Sequence, residues 1–162
     1  MLKKTTIRNT ATLMGLGCLL LACLLFVLPA QATADNAIKW YSHDEGLVLG
    51  KIKGKKLYIH FWATWCTYCK KMEQDTFQDA AVIAYLNANF IPIKVNTDRE
   101  RQTAALYSIR PIPDNWFLAS NGERISNQPG YIQPEMMIKI LEYIHTDSYL
   151  DTSFNKFLQS RK

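Results

Sequence analysis

Leu57-Tyr58-Ile59-His60-Phe61-Trp62-Ala63-Thr64-Trp65-Cys66-Thr67-Tyr68-Cys69-Lys70 is the stretch on which the fold turns. Its first seven residues, 57–63, are aromatic or aliphatic almost without interruption. So short an apolar run suits a strand buried on both faces better than an amphipathic one. After Trp65 the pattern changes, and residues 66–74 read as a helix. Cysteines three apart on a helix lie on one face, within disulfide reach of each other. Cys66, placed exposed at the helix N-terminus, meets unpaired N–H groups and the positive end of the helix dipole, which favour its thiolate. Since the thiolate is the attacking species in disulfide exchange, Cys66 is the expected nucleophile and Cys69 the resolving thiol.

Other uses of the pair fit less well. Haem attachment needs a histidine after the second cysteine, and position 70 is lysine. A zinc site needs about four ligands, and His43, His60 and His145 are scattered along the chain. The other two cysteines, Cys18 and Cys23, fall in the N-terminal 32 residues. A body of some 130 residues buries enough surface to fold without a staple, so a lone pair with two residues between its members points to chemistry rather than stability.

The N-terminus reads as an export signal. Lys3, Lys4 and Arg8 precede an uncharged apolar run over 11–28, and Pro29-Ala30-Gln31-Ala32 supplies the small residues a signal peptidase reads. Cleavage is expected after Ala32, with Ala34 as a second site. The alternatives are a retained membrane anchor and a lipoprotein built on Leu20-Leu21-Ala22-Cys23. All three put the body, 33–162, outside the cytoplasm, in a periplasm where the cell has one. Without the leader's three positive charges, 16 basic and 14 acidic residues remain, and the net charge drops from +5 to +2. No basic stripe is left, and a nucleic-acid partner is not expected. The composition, 48% hydrophobic and 20% charged with 7 Gly and 6 Pro, excludes disordered, collagen-like and disulfide-dense classes.

Outward from the central stretch, the chain reads as one domain. Residues 38–51 suit a helix that Gly54 breaks. A helix over 79–89 carries Val82, Ile83, Tyr85 and Leu86 as its stripe; 90–95 is a second buried strand and 100–107 a short helix. Pro111 and Pro113 bar a helix between them. A strand over 115–119 leads through Asn121-Gly122, a strong hairpin signal, into a strand around 124–126. Pro134 opens a helix carrying Met136, Met137, Ile140, Leu141 and Ile144, and 153–160 forms a last amphipathic segment. This order implies an α/β architecture, a central mixed sheet with helices on both faces.

Phe61 to Lys70 resembles the active-site segment of thioredoxin-like proteins, and Ser108-Ile109-Arg110-Pro111-Ile112-Pro113 resembles the family's cis-proline loop. Residues 79–83 and 153–158 resemble the exported thioredoxin-related branch that includes SoxW-type proteins. The resemblance spans residues 40–158. It implies a thioredoxin fold, Cys66 and Cys69 as a redox-active disulfide, Pro113 as the cis-proline, and Ile112 presenting backbone groups to a bound peptide. Trp65 is expected to shield the disulfide and touch substrate, Trp62 to belong to the core, and Tyr68 to be partly exposed. Lys70 and Lys71 are candidates for holding the Cys66 thiolate, or else for solvating a helix face.

Two positions depart from the family pattern. His60 stands where cytoplasmic thioredoxin has a buried aspartate that relays protons to the resolving thiol. It is read either as a base, its pKa lying near working pH, or as a structural histidine. Asp114-Asn115 replace a threonine and an apolar residue after the cis-proline. Ile112 is thioredoxin-like, which favours a dithiol reductase acting on exported proteins and recharged by a membrane thiol–disulfide electron donor; a monomer with no cofactor and no metal is expected. The alternatives are a disulfide-donating oxidase and a non-catalytic peptide-binding or metal-handling module.

Overall fold

The computed structural model describes residues 36–161. The expected leader, with Cys18, Cys23 and both cleavage sites, lies outside the described residues. In chain order the elements are α1 (His43–Lys53), β1 (Lys56–Trp62), α2 (Thr67–Gln74), a 3-10 turn (Thr76–Gln78), α3 (Ala80–Asn89) and β2 (Phe90–Asn96). Then come α4 (Arg101–Leu106), β3 (Asp114–Leu118), β4 (Arg124–Pro129), α5 (Pro134–His145), a 3-10 turn (Ser148–Leu150) and α6 (Phe154–Gln159).

The sheet runs β2-β1-β3-β4. β1 is central: it pairs parallel with β2, Ile59 opposite Ile93, and antiparallel with β3, Ile59 opposite Trp116. Side chains alternate along a strand, so β1 feeds two cores. Tyr58 joins Phe90 and Phe117 beneath α2, α3 and α5, while Leu57, Ile59 and Phe61 join Ile91, Ile93, Val95 and Leu118 on the face that α1 and α4 cover. The chain thus forms a thioredoxin fold, a four-stranded mixed sheet flanked by helices.

One element begins later than its residues suggest. A helix over 38–51 is expected, yet α1 starts at His43. Ser42 stops it from starting earlier: its backbone N–H donates to Glu45 Oε2 at 3.2 Å while its side chain accepts the Glu45 backbone N–H, forming a capping box, and its hydroxyl also donates to Oε2 at 2.7 Å. The residues before it are drawn to the sheet edge, where Tyr41 N donates to Pro92 O at 2.9 Å and Lys94 N to Tyr41 O at 3.2 Å. Gly54, in the left-handed region at φ 63°, closes the helix. Gly46 lets α1 lie close on the sheet, since a Cβ there would collide with the Ile93 side chain. The hairpin after Asn121-Gly122 forms as expected, but β4 runs on to Pro129, which places Gln128 beside Asn115.

Candidate active site

Cys66 ends the turn after β1 and is the N-cap of α2: its backbone is extended (φ −77°, ψ 108°) and its Sγ accepts the Cys69 N–H at 3.1 Å. No acidic residue enters the first turn of α2 to oppose a thiolate there. Cys66 and Cys69 are disulfide-bonded. Their sulfurs lie against Ala63, Trp62 and Ile112, and this packing leaves Cys66 only 4% exposed, against 0% for Cys69. The exposure expected for Cys66 is therefore corrected to a small opening, although it remains the more open sulfur of the two. Ile112-Pro113 is a cis peptide bond, and Pro113 O accepts the Gly130 N–H at 2.7 Å.

Trp65 and Tyr68 stand out in solvent on either side, Trp65 at 66% exposure, and the Trp65 indole N–H donates to the Asp98 carboxylate at 3.1 Å. Trp62 is half-buried, with Lys94 Nζ 4.7 Å above its ring. Lys71 is committed elsewhere: it pairs with Asp75 one turn along the helix and lies over the Tyr131 ring. Lys70 stays exposed.

His60 is fully buried on β1, its ring 4.9 Å from Phe77 and 6.3 Å from Trp40. Its state can be read from its neighbour. The Asn115 side-chain N–H2 donates to Gln128 O (3.0 Å) and Gly130 O (3.2 Å), so Oδ1 must face the other way. That oxygen accepts the Tyr58 hydroxyl at 2.7 Å and lies 2.9 Å from His60 Nδ1. An acceptor facing Nδ1 requires the proton to sit there. Nε2 is left as a bare lone pair, buried and with no hydrogen-bond partner. Burial first, and the Lys94 charge as a smaller contribution, lower the imidazole pKa to about 4, against the partial support of Asn115. His60 is neutral at neutral pH.

One polar group beside His60, Lys94, escapes sequence reasoning, whereas Asp114 and Asn115 already stand out in the sequence as departures from the family pattern. Lys94 pairs with Glu73 at 2.6 Å and also faces the Trp40 ring; a lone cation inside the apolar strand 90–95 was the available signal. Asn115 fixes the His60 tautomer, and burial raises the Asp114 pKa although Asn127 and Trp116 donate to its carboxylate. Among the described residues, no group of three or more His, Cys, Asp or Glu side chains is assembled to hold a metal ion.

A strand–turn–helix that ends in a paired Cys66–Cys69, faced by a cis-proline loop, defines a thioredoxin-like thiol–disulfide oxidoreductase. The thioredoxin-like domain family matches residues 44–145, and the chain belongs to it. Thioredoxin-1 of Caenorhabditis elegans is 24% identical over 109 residues, 67% of this chain and 90% of that protein. The thiol-disulfide oxidoreductase ResA of Bacillus subtilis is 21% identical over 124 residues, covering 64% of this chain and 69% of its own. The thiol:disulfide interchange protein DsbD of Photorhabdus laumondii is 31% identical over 74 residues, 44% of this chain but 13% of that longer protein. Among solved structures, a thioredoxin from Thermus thermophilus superposes with TM-score 0.61 at 23% identity, covering 67% of this chain and 87% of its own. The DsbH oxidoreductase gives TM-score 0.59 at 16% identity, covering 78% and 94%. At these identities the two structures speak to the fold alone.

Proposed function

We propose that the protein is an exported dithiol reductase of the SoxW-type branch, acting on disulfides of other exported proteins. A membrane thiol–disulfide donor returns two electrons to Cys66–Cys69 after each turnover. The observation that carries the reading is the Cys66–Cys69 pair at the start of α2, packed against Ile112 of the cis-proline loop. The apolar isoleucine before Pro113 favours reduction over oxidation, and the likeness to ResA supports thiol–disulfide exchange without giving its direction.

In the reduced protein, the Cys66 thiolate attacks one sulfur of the substrate disulfide. A Cys66–substrate disulfide forms, and the substrate's other sulfur leaves as thiolate. Cys69 then gives its proton to His60 Nε2, attacks Cys66 Sγ and expels the second substrate thiolate. The substrate has gained two electrons, and Cys66–Cys69 is a disulfide again. His60 Nε2 is unprotonated and open to that proton, but burial that holds the pKa at about 4 makes it a weak base, so the proton passes straight on to the departing substrate thiolate. Trp65, Ile112 and Pro113 hold the substrate chain over the sulfurs.

Insulin reduction by dithiothreitol, followed as turbidity, tests the activity: the protein accelerates precipitation, and Cys66→Ser does not. The reduction potential against glutathione tests the direction. A value near about −270 mV belongs to a reductase, and one near about −120 mV would make the protein a disulfide donor.

A further inference from the structure

Beside the disulfide, on the side of α4, lies an open groove of about 290 Å³. Trp65 and Ile112 form its inner wall, Ala104 and Ala105 leave room for it, and Arg101 and Arg110 line it with no acidic side chain among its lining residues. Both arginines are exposed. Arg101 spends only its Nε–H, on Asp98 O at 3.2 Å, and the Arg110 guanidinium has no partner among the described residues. Two carboxylates near this rim, Asp98 and Glu100, keep their charge but lie outside the groove's lining, where they accept the Trp65 indole N–H and, at 2.9 Å, the Asn96 backbone N–H. Arg110 is two residues before Ile112 on the same loop. A polypeptide lying along Ile112 with its cysteine over Cys66 would therefore carry its neighbouring side chains past both guanidiniums.

We infer that this groove selects substrates whose disulfide cysteine is flanked by aspartate or glutamate. The inference rests on the oxidoreductase reading above and adds its substrate class. A guanidinium presents a planar fork that matches a carboxylate with two parallel hydrogen bonds. Charge at the rim of an interface acts mainly on the rate of encounter and on the choice of partner. Exposed ion pairs are individually weak, so two of them give about a fivefold preference rather than an absolute one.

The test uses the reduced protein and two synthetic peptides. Each is closed by one intrachain disulfide, and they are identical except for Asp or Lys beside the cysteines. Rates of reduction are followed by chromatography and divided by each peptide's rate with dithiothreitol, which removes the intrinsic effect of charge on disulfide reactivity. The acidic peptide is expected to be reduced about fivefold faster at low salt. The preference should shrink at about 0.5 M salt, where charges more than a few ångströms apart are screened. Arg101→Gln with Arg110→Gln should abolish the preference, and Arg101→Glu with Arg110→Glu should invert it, with folding verified by circular dichroism. Equal normalised rates in the unmodified protein, or a preference that survives the double glutamine variant, overturn the inference and leave the activity standing. Failure to reduce either peptide would overturn the oxidoreductase reading itself.

Discussion

His60 Nδ1 lies 2.9 Å from Asn115 Oδ1, across the β1–β3 ladder in which the two residues are directly paired. That contact decides which nitrogen of a buried imidazole carries the proton. Asn115 cannot turn its amide round without taking N–H donors away from Gln128 O and Gly130 O and aiming them at the Tyr58 hydroxyl and His60. Nitrogen-15 NMR of histidine-labelled protein is expected to show the Nδ1–H tautomer for His60. In Asn115→Leu, which offers no acceptor, the signal should move towards the commoner Nε2–H form.

The same burial makes stability depend on pH with a definite sign. Unfolded, His60 binds its proton near pH 6.5; folded, it resists until about pH 4. The unfolded chain therefore holds more protons between those values. The contribution of His60 is complete above about pH 6.5, falls as pH is lowered and levels off below about pH 4. The difference is of order 3 kcal/mol. Urea unfolding at pH 7, 5.5 and 4 reads it, and His60→Gln should flatten that part of the profile.

His60→Gln also separates the base from the space it fills. If Nε2 accepts the Cys69 proton, this variant should resolve the Cys66–substrate disulfide about tenfold more slowly at pH 7. Trapped mixed disulfide should then accumulate in acid-quenched samples seen by mass spectrometry. The deficit should narrow at higher pH, as Cys69 ionises without help. Resolution at the unmodified rate across pH 6 to 8 would leave His60 a structural residue.

The two cysteines should differ in reactivity. In the reduced protein at neutral pH, iodoacetamide is expected to label Cys66 first, because its sulfur caps α2 and Cys69 is wholly buried. Peptide mapping after brief exposure reads the order. Cys69 labelled first would reverse the roles of the two thiols.

Gly46→Ala tests the seat of α1. The added methyl meets Ile93 side-chain atoms at a separation van der Waals contact does not allow, so either the helix lifts or Ile93 leaves its rotamer. A loss of about 1–3 kcal/mol is expected, read as a lower urea midpoint with little change in slope. The disulfide site, beyond the C-terminal end of β1, should keep its activity.

The sequence by itself determined what near neighbours decide. An apolar run, Leu57 to Ala63, makes a strand wherever it is buried. Two cysteines three apart at a helix start come together, and Pro111 and Pro113 forbid a helix opposite them. Asn121-Gly122 turns the chain because few other dipeptides adopt its backbone angles. The start of α1 at Ser42 was set instead by the capping box with Glu45 and by the pairing of Tyr41 with the sheet edge. Only the tertiary structure decided the surroundings of His60. Asn115 reaches it from 55 residues away and Phe77 from 17. Lys94 reaches it by strand register, and Glu73 enters through its pairing with Lys94. Protonation, tautomer and charge balance depend on distances of a few ångströms between such groups. Sheet pairing and helix packing set those distances, and the order of residues along the chain does not record them.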